Sequence, residues 1–219
     1  MDVIRVFGDR REAGAILAEA LRNRLKGDCV VLAIPRGGVV VGRVIADALG
    51  LPLDVIVPRK IGAPGQPELA IGAVISWGNS DTVLDSKATE YLKVSEDYIK
   101  QRVGQELEEV KRRLLAYRGT VEPPNVVNKN VVLVDDGIAT GYTVRAASLA
   151  LRRLGAARVV LAVPVAPPDS LEALRPDFDE VICVSAPTPF PAVSYWYRDF
   201  RQVTDQEVVD MLKRSSTDY

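Results

Sequence analysis

The chain has no histidine and only two cysteines in 219 residues. The first absence excludes imidazole general bases, Ser-His-Asp triads and histidine metal ligands. The cysteines, Cys29 and Cys183, each sit in an apolar segment without metal-ligand spacing, and both read as buried free thiols. Net charge is also lacking, since 28 Lys and Arg against 29 Asp and Glu leave −1. Without a long basic run the electrostatic footprint of a duplex binder is missing, and no nucleic-acid partner is expected. No apolar run is long enough to span a bilayer, and Met1 to Arg5 carries no secretory pattern. The expectation is a soluble, cytoplasmic protein without a membrane partner. Internal repeats and low-complexity tracts are absent. The length slightly exceeds the usual ~100–200 residues per domain, so one elaborated domain with its own core is expected.

What is present alternates. Asp9 with Glu12 at the third helical position opens an amphipathic helix through Ile16, Leu17, Ala20, Leu21 and Leu25, ended by Gly27. Strands are expected at 29–34, 53–57, 73–77, 131–134, 158–163 and 180–184, with Gly78-Asn79 as a turn. Helices are expected at 42–49, 144–154 and 169–174, with Thr204 and Glu207 capping a last one. Continuous apolar strands alternating with helices predict an α/β fold: an open, mainly parallel, twisted sheet with helices on both faces. Residues 59–72, dense in Gly and Pro, read as a long loop of the kind that serves as an active-site lid. Residues 86–118 read as mostly helical and highly charged. Their stripe of Ile99, Val103, Leu107, Val110, Leu114 and Tyr117 packs either on the core or on another subunit, the latter giving a homodimer. The organisation is then a single domain with core segments at about 27–78 and 126–187, a helical insertion at about 86–118, and a small C-terminal hood at about 188–219.

The most informative stretch is Val131 to Thr143. An apolar strand ends in Asp135-Asp136, and a turn of small and hydroxyl residues leads into a helix. Such a turn holds a phosphate on backbone N–H groups while carboxylates accept from hydroxyls, which points to a sugar phosphate. In open parallel sheets ligands lie beyond the carboxyl ends of strands, where strand order reverses. Three further groups follow strands: Pro35-Arg36-Gly37-Gly38, Arg59-Lys60, and the aromatic tail around Trp196. Each has a plain structural alternative: an ordinary turn, a solvated cation pair, an aromatic plug, and for the aspartates an N-cap with a surface charge. Their coincidence suggests a ligand with phosphate at two separate places. A Walker loop is excluded because Gly141-Tyr142-Thr143 lacks the lysine, and the spacing of Gly37, Gly38 and Gly42 does not fit a dinucleotide fingerprint.

Val131 to Val144 resembles the phosphoribosyl pyrophosphate signature of type I phosphoribosyltransferases. Residues 34–42 resemble that family's pyrophosphate loop, and 57–67 resemble the Arg-Lys segment and flexible loop of its adenine-specific members. Gly62 to Ala73, Pro164 to Pro168 and the Trp196 to Phe200 tail resemble a less-characterised branch of the same family. The resemblance covers nearly the whole chain. It implies a transferase that uses 5-phosphoribosyl 1-pyrophosphate (PRPP) and Mg²⁺ to phosphoribosylate a nitrogenous base. Asp135 and Asp136 would hold the ribose hydroxyls. The 5′-phosphate would lie in the turn of Gly137, Ala139, Thr140, Gly141, Tyr142 and Thr143. Arg36, Gly37 and Gly38, in a loop with a strained peptide, would meet the pyrophosphate, which Arg59 and Lys60 would reach from the next strand. Asp135, Asp136, Arg59 and Lys60 would carry the catalysis, and residues 61–72 would close over the site. Magnesium would arrive on the ligand, with Asp135 or Asp136 as its direct protein contact, if any. Ala139 departs from the 6-oxopurine enzymes, which place an aspartate there, so the acceptor base stays open. Glu68, Tyr195 and Tyr197 are candidates for its proton transfer. The alternatives are a PRPP-binding regulator without transferase activity and a hydrolase needing no acceptor.

Overall fold

In a computed structural model of the chain, described at residues 5–75 and 81–213 with the side chains of Glu68 and Asp81 excepted, five strands form one parallel sheet. They are β1 (Cys29–Ala33), β2 (Leu53–Val55), β6 (Asn130–Val134), β7 (Arg158–Val165) and β8 (Glu180–Ser185), in the order β2-β1-β6-β7-β8. Every pairing is parallel, with Val31 opposite both Leu53 and Val132, and Leu133 opposite Leu161. The inner strands are buried almost throughout, whereas edge strand β8 is mostly half-buried, with only Ile182 and Ser185 buried. That gradient explains why the inner strands read as unbroken Val/Leu runs. Cys29 is buried as expected, and burial raises its thiol pKa; Cys183, on the β8 edge, is only half-buried.

Helix α2 (Gly37–Leu49) joins β1 to β2, and α5 (Tyr142–Arg153) joins β6 to β7 in the opposite direction across the sheet. Right-handed crossovers therefore place these helices on opposite faces. Helix α1 (Arg10–Leu21) packs against α2. Its Asp9 cap accepts from the backbone N–H groups of Arg11 and Glu12, while Glu12 reaches back to the N–H of Gly8 at 2.6 Å. The helix ends at Leu21 rather than running to Gly27, and Leu25 packs on the core from the turn that follows. Helix α6 (Pro168–Leu174) precedes β8. At the C-terminus α7 (Asp205–Lys213) starts where Thr204 and Glu207 bond reciprocally, as the capping pattern predicts.

The expected loop is instead a strand pair. β3 (Arg59–Ala63) and β4 (Gln66–Ile75) are antiparallel, turned at Pro64-Gly65, and β5 (Asp81–Leu84) adds a third strand. The glycines that suggested a loop serve close backbone approach. A Cβ on Gly62 would stand 2.5 Å from the Pro67 carbonyl oxygen, and one on Gly72 would stand 2.3 Å from that of Val83. The strand expected at 73–77 is the end of β4 as far as Ile75; Trp77 and the Gly78-Asn79 turn lie outside the described residues.

The expected helix at 86–118 is broken into α3 (Ser86–Tyr91) and α4 (Glu96–Arg118) by Leu92 to Ser95, with Asp85 and Ser95 as side-chain caps. The apolar stripe of α4 is used within the chain. Val110, Leu114 and Tyr117 join the main core, while Val103 and Leu107 pack on Ile61, Ala63, Ile71 and Val74 of the hairpin. None of the described helices is long and apolar enough to cross a membrane.

Candidate active site

Strand order reverses between β1 and β6, and the groups that follow these two strands meet there. Of this group Pro35 and Arg36 form the turn after β1, with a cis peptide between them, while Gly37 and Gly38 already belong to α2, with Arg36 as its N-cap. The two glycines make room for the acid pair. A Cβ on Gly37 would lie 1.8 Å from Oδ2 of Asp136, and one on Gly38 would lie 3.0 Å from the Asp135 Cα. Only a residue without a side chain lets the helix start this close to the end of β6.

An open cleft of about 690 Å³ lies over this junction. Its wall includes Arg36, Gly37, Arg59, Lys60, Asp135, Asp136 and Thr143, so cations from two strand ends face the acid pair. Of the turn from 137 to 143, Thr143 lines the cleft, while Ala139 and Thr140 are exposed to solvent. Gly141 adopts φ +81° as the N-cap of α5, and a Cβ there would meet Leu174 at 3.0 Å. The Tyr142 hydroxyl leaves the turn altogether and donates to Asp85 at 2.6 Å, fastening the start of α5 to that of α3. Burial pushes that hydroxyl up to about 12 and the bond to Asp85 adds to the effect.

The acid pair is not freely hydrated. Asp135 accepts from the Asp136 N–H at 2.8 Å. Desolvation, and then the neighbouring Asp136 charge, push the Asp135 carboxyl well above the usual carboxylate range. Burial also raises Asp136, opposed by the guanidinium of Arg10, whose Nε donates to Oδ2 at 2.7 Å. The Tyr197 hydroxyl donates to the Asp136 carbonyl at 2.5 Å.

The cations are also engaged inside the chain. Arg59 Nε donates to Glu106 Oε2 at 2.9 Å, and Arg102 holds the other oxygen of Glu106 at 2.7 Å. Arg36 lies 3.7 Å from Asp205, at the start of α7. Arg113 of α4 lines the cleft as well, bonded to Glu109 at 2.7 Å.

The aromatic tail enters differently from the expectation. Ser194, Phe200, Gln202 and Val203 line the cleft, whereas Trp196 stacks on Phe190 with ring centroids 6.1 Å apart. Tyr197 is no candidate for proton transfer, because burial drives its hydroxyl pKa far up and the hydroxyl is committed to backbone. Tyr195 is 70% exposed, and the side chain of Glu68 lies outside the described residues. Arg10, Glu106 and Arg113 were not singled out from the sequence. Arg10 is 126 positions from its carboxylate, and Glu106 sits among many charges of one helix, so neither leaves a local signal.

The profile of the phosphoribosyl transferase domain matches residues 9–195. A Mycobacterium tuberculosis H37Rv protein, Rv0571c, which carries a provisional phosphoribosyl transferase name, is 40% identical over 220 residues. The match takes in 99% of this chain and 48% of that protein, so the chain spans about half the length of the curated relatives it matches. The crystal structure of TT1426 from Thermus thermophilus is 41% identical, with TM-score 0.80 over 96% of this chain and 99% of that one. A Neisseria gonorrhoeae protein of 15% identity shares the fold, with TM-score 0.52 over 98% of both chains.

Proposed function

The chain belongs to the phosphoribosyl transferase family, and from that premise we propose that it transfers a phosphoribosyl group from PRPP to a nitrogenous base and releases pyrophosphate. The observation that carries this reading is the junction at the strand-order reversal. There Arg36, Arg59 and Lys60 share one cleft with the Asp135-Asp136 pair and with Thr143 at the end of the phosphate-type turn. The pair supplies oxygens for the ribose 2′- and 3′-hydroxyls. Backbone N–H groups of 139–143, at the start of the twelve-residue helix α5, suit the 5′-phosphate. The cations suit the pyrophosphate, which gathers charge as its bond to C1 breaks. Fixed charges aimed at that change are commonly the largest catalytic contribution, about 3–4 kcal/mol for one well-placed group.

Among the described residues no cluster of three or more Asp, Glu, Cys or His could hold a metal by itself. The donor set therefore fits a magnesium ion carried by phosphate and ribose oxygens, with Asp135 or Asp136 as a protein oxygen beside it. Bound there, the ion would neutralise charge on the leaving pyrophosphate.

The test is pyrophosphate release on incubation with PRPP, Mg²⁺ and a panel of purine and pyrimidine bases. Turnover that depends on one base supports the transferase. Tight PRPP binding without turnover on any base would make the chain a PRPP-binding regulator, and release without any base would make it a hydrolase.

A further inference from the structure

Among the arginines of the cleft, Arg10 is set apart by burial. Its side chain is 9% exposed, against 37% for Arg36 and 33% for Arg59. A guanidinium that deep is tolerated only if it is paired and its donors are satisfied. Arg10 meets both conditions by bridging two parts of the chain that are far apart in sequence. Nε donates to Asp136 Oδ2 at 2.7 Å, on the sheet side of the cleft. Nη1 donates to the Arg201 carbonyl at 2.9 Å, and the guanidinium lies over the Phe200 ring at 3.8 Å, both on the tail side. Gly37 leaves the space in which the pair forms, since a Cβ there would stand 2.7 Å from Arg10 Nε. The Tyr197 hydroxyl holds the Asp136 backbone from the same tail.

We propose that Arg10 is the positioning residue of the ribose site, holding the Asp136 carboxylate by one oxygen so that the other is presented to a sugar hydroxyl, and tying that carboxylate to the tail wall at Phe200 and Arg201. The proposal rests on the transferase reading above. Arg10 acts through Asp136 and does not touch the sugar. It also couples the two walls of the cleft, because a shift of residues 200–201 moves the guanidinium and with it the acid pair.

The experiment is calorimetric titration of the full chain with PRPP, ribose 5-phosphate and pyrophosphate, each with Mg²⁺. Wild type is compared with Arg10→Met, Arg10→Lys and Phe200→Leu. Losing one charge-assisted hydrogen bond at the carboxylate should weaken PRPP and ribose 5-phosphate by roughly 10–100-fold in Arg10→Met, with pyrophosphate within about twofold of wild type. Arg10→Lys keeps the charge opposite Asp136 but cannot make all three contacts, so part of the lost affinity returns. Phe200→Leu removes the stacked ring and gives a smaller loss with the same ligand pattern. Wild-type affinity for the ribose ligands in Arg10→Met, or an equal loss for all three ligands, overturns the proposal. Should Arg10→Met fail to fold, the other two variants decide: wild-type binding of ribose ligands by both overturns it equally. A wild-type chain that binds none of the three ligands overturns the transferase reading itself, and the role of Arg10 with it.

Discussion

At Gly37 a single absent methyl group separates an occupied site from a working one. Gly37→Ala would drive a carbon into the Asp136 carboxylate and the Arg10 guanidinium. Because α2 tolerates alanine, the chain should still fold, and pyrophosphate release should fall by two orders of magnitude or more, about 3 kcal/mol of lost transition-state stabilisation. Comparing kcat with the melting temperature checks this. The acid pair makes a related prediction. Asp135→Asn together with Asp136→Asn should abolish ribose 5-phosphate binding in a titration while circular dichroism shows an intact fold; surviving activity would make the pair structural. Arg59 holds Glu106 through Nε at 2.9 Å and lines the cleft, so its other guanidinium N–H groups are donors suited to a pyrophosphate. Arg59→Ala should accordingly weaken PRPP at least tenfold more than ribose 5-phosphate, about 1.4 kcal/mol of selective loss, which competition binding would measure.

At the scale of elements, the hairpin β3–β4 stands where glycine and proline content suggested an irregular loop. It is braced by α4: the Tyr98 hydroxyl donates to the Gly62 carbonyl at 2.9 Å, and Val103 and Leu107 cover the hairpin's apolar face. The hairpin and α4 also share the Arg59–Glu106 bond, which ties a cation of the cleft to this packing. Helix α4 is bound to the body of the protein by Val110, Leu114 and Tyr117, and the Tyr117 hydroxyl reaches Asp205 of α7 at 2.6 Å. Leu114 is 1% exposed. Leu114→Ala should cost about 2–5 kcal/mol of stability through lost burial and a cavity, measured by denaturant unfolding. Of the apolar stripe read from the sequence, Val103 and Leu107 pack on the hairpin and Val110, Leu114 and Tyr117 on the core.

At the scale of the whole molecule, the charged groups divide into those that add stability near neutral pH and the buried acid pair, which removes it. Glu109, between Arg112 and Arg113, and Glu207, beside Arg201 and Thr204, each titrate at about 2 rather than near 4.5. The folded state binds fewer protons at these sites than the unfolded chain, so their contribution is present above pH 4.5 and is lost as pH falls toward about 2. Both are partly exposed to solvent, which screens these pairs, so each contribution is small. Asp135 has the opposite sign. Its carboxyl is raised, the folded state holds the proton more tightly, and stability falls as pH rises from the ordinary carboxylate range through the raised value. Asp135→Asn should therefore raise the melting temperature at neutral pH, narrow its fall between pH 4 and neutrality, and leave the acid limb unchanged. Melting curves over a pH series test all three points.

The linear chain carried enough to define the parallel sheet, its inner strands, the capped helices α1 and α7, and the segments that hold the candidate phosphate and ribose groups. Those features are local. Apolar runs mark strands buried on both faces, and Ser, Thr, Asp and Glu at fixed offsets mark helix starts, whatever lies far away in the chain. The hairpin was misread because Gly62 and Gly72 look the same in sequence whether they free a loop or admit a neighbouring backbone. Arg10, Glu106 and Gln202 left no trace, and Phe200 showed only as part of the aromatic tail, because their roles depend on partners brought close only by the packed sheet. Tertiary structure alone decided that Asp136 is paired, that Arg59 starts from a carboxylate, and that the glycines after β1 exist to let α2 begin against β6. Burial is the physical reason: it turns contacts between distant residues into charge pairs and pKa shifts that no local pattern encodes.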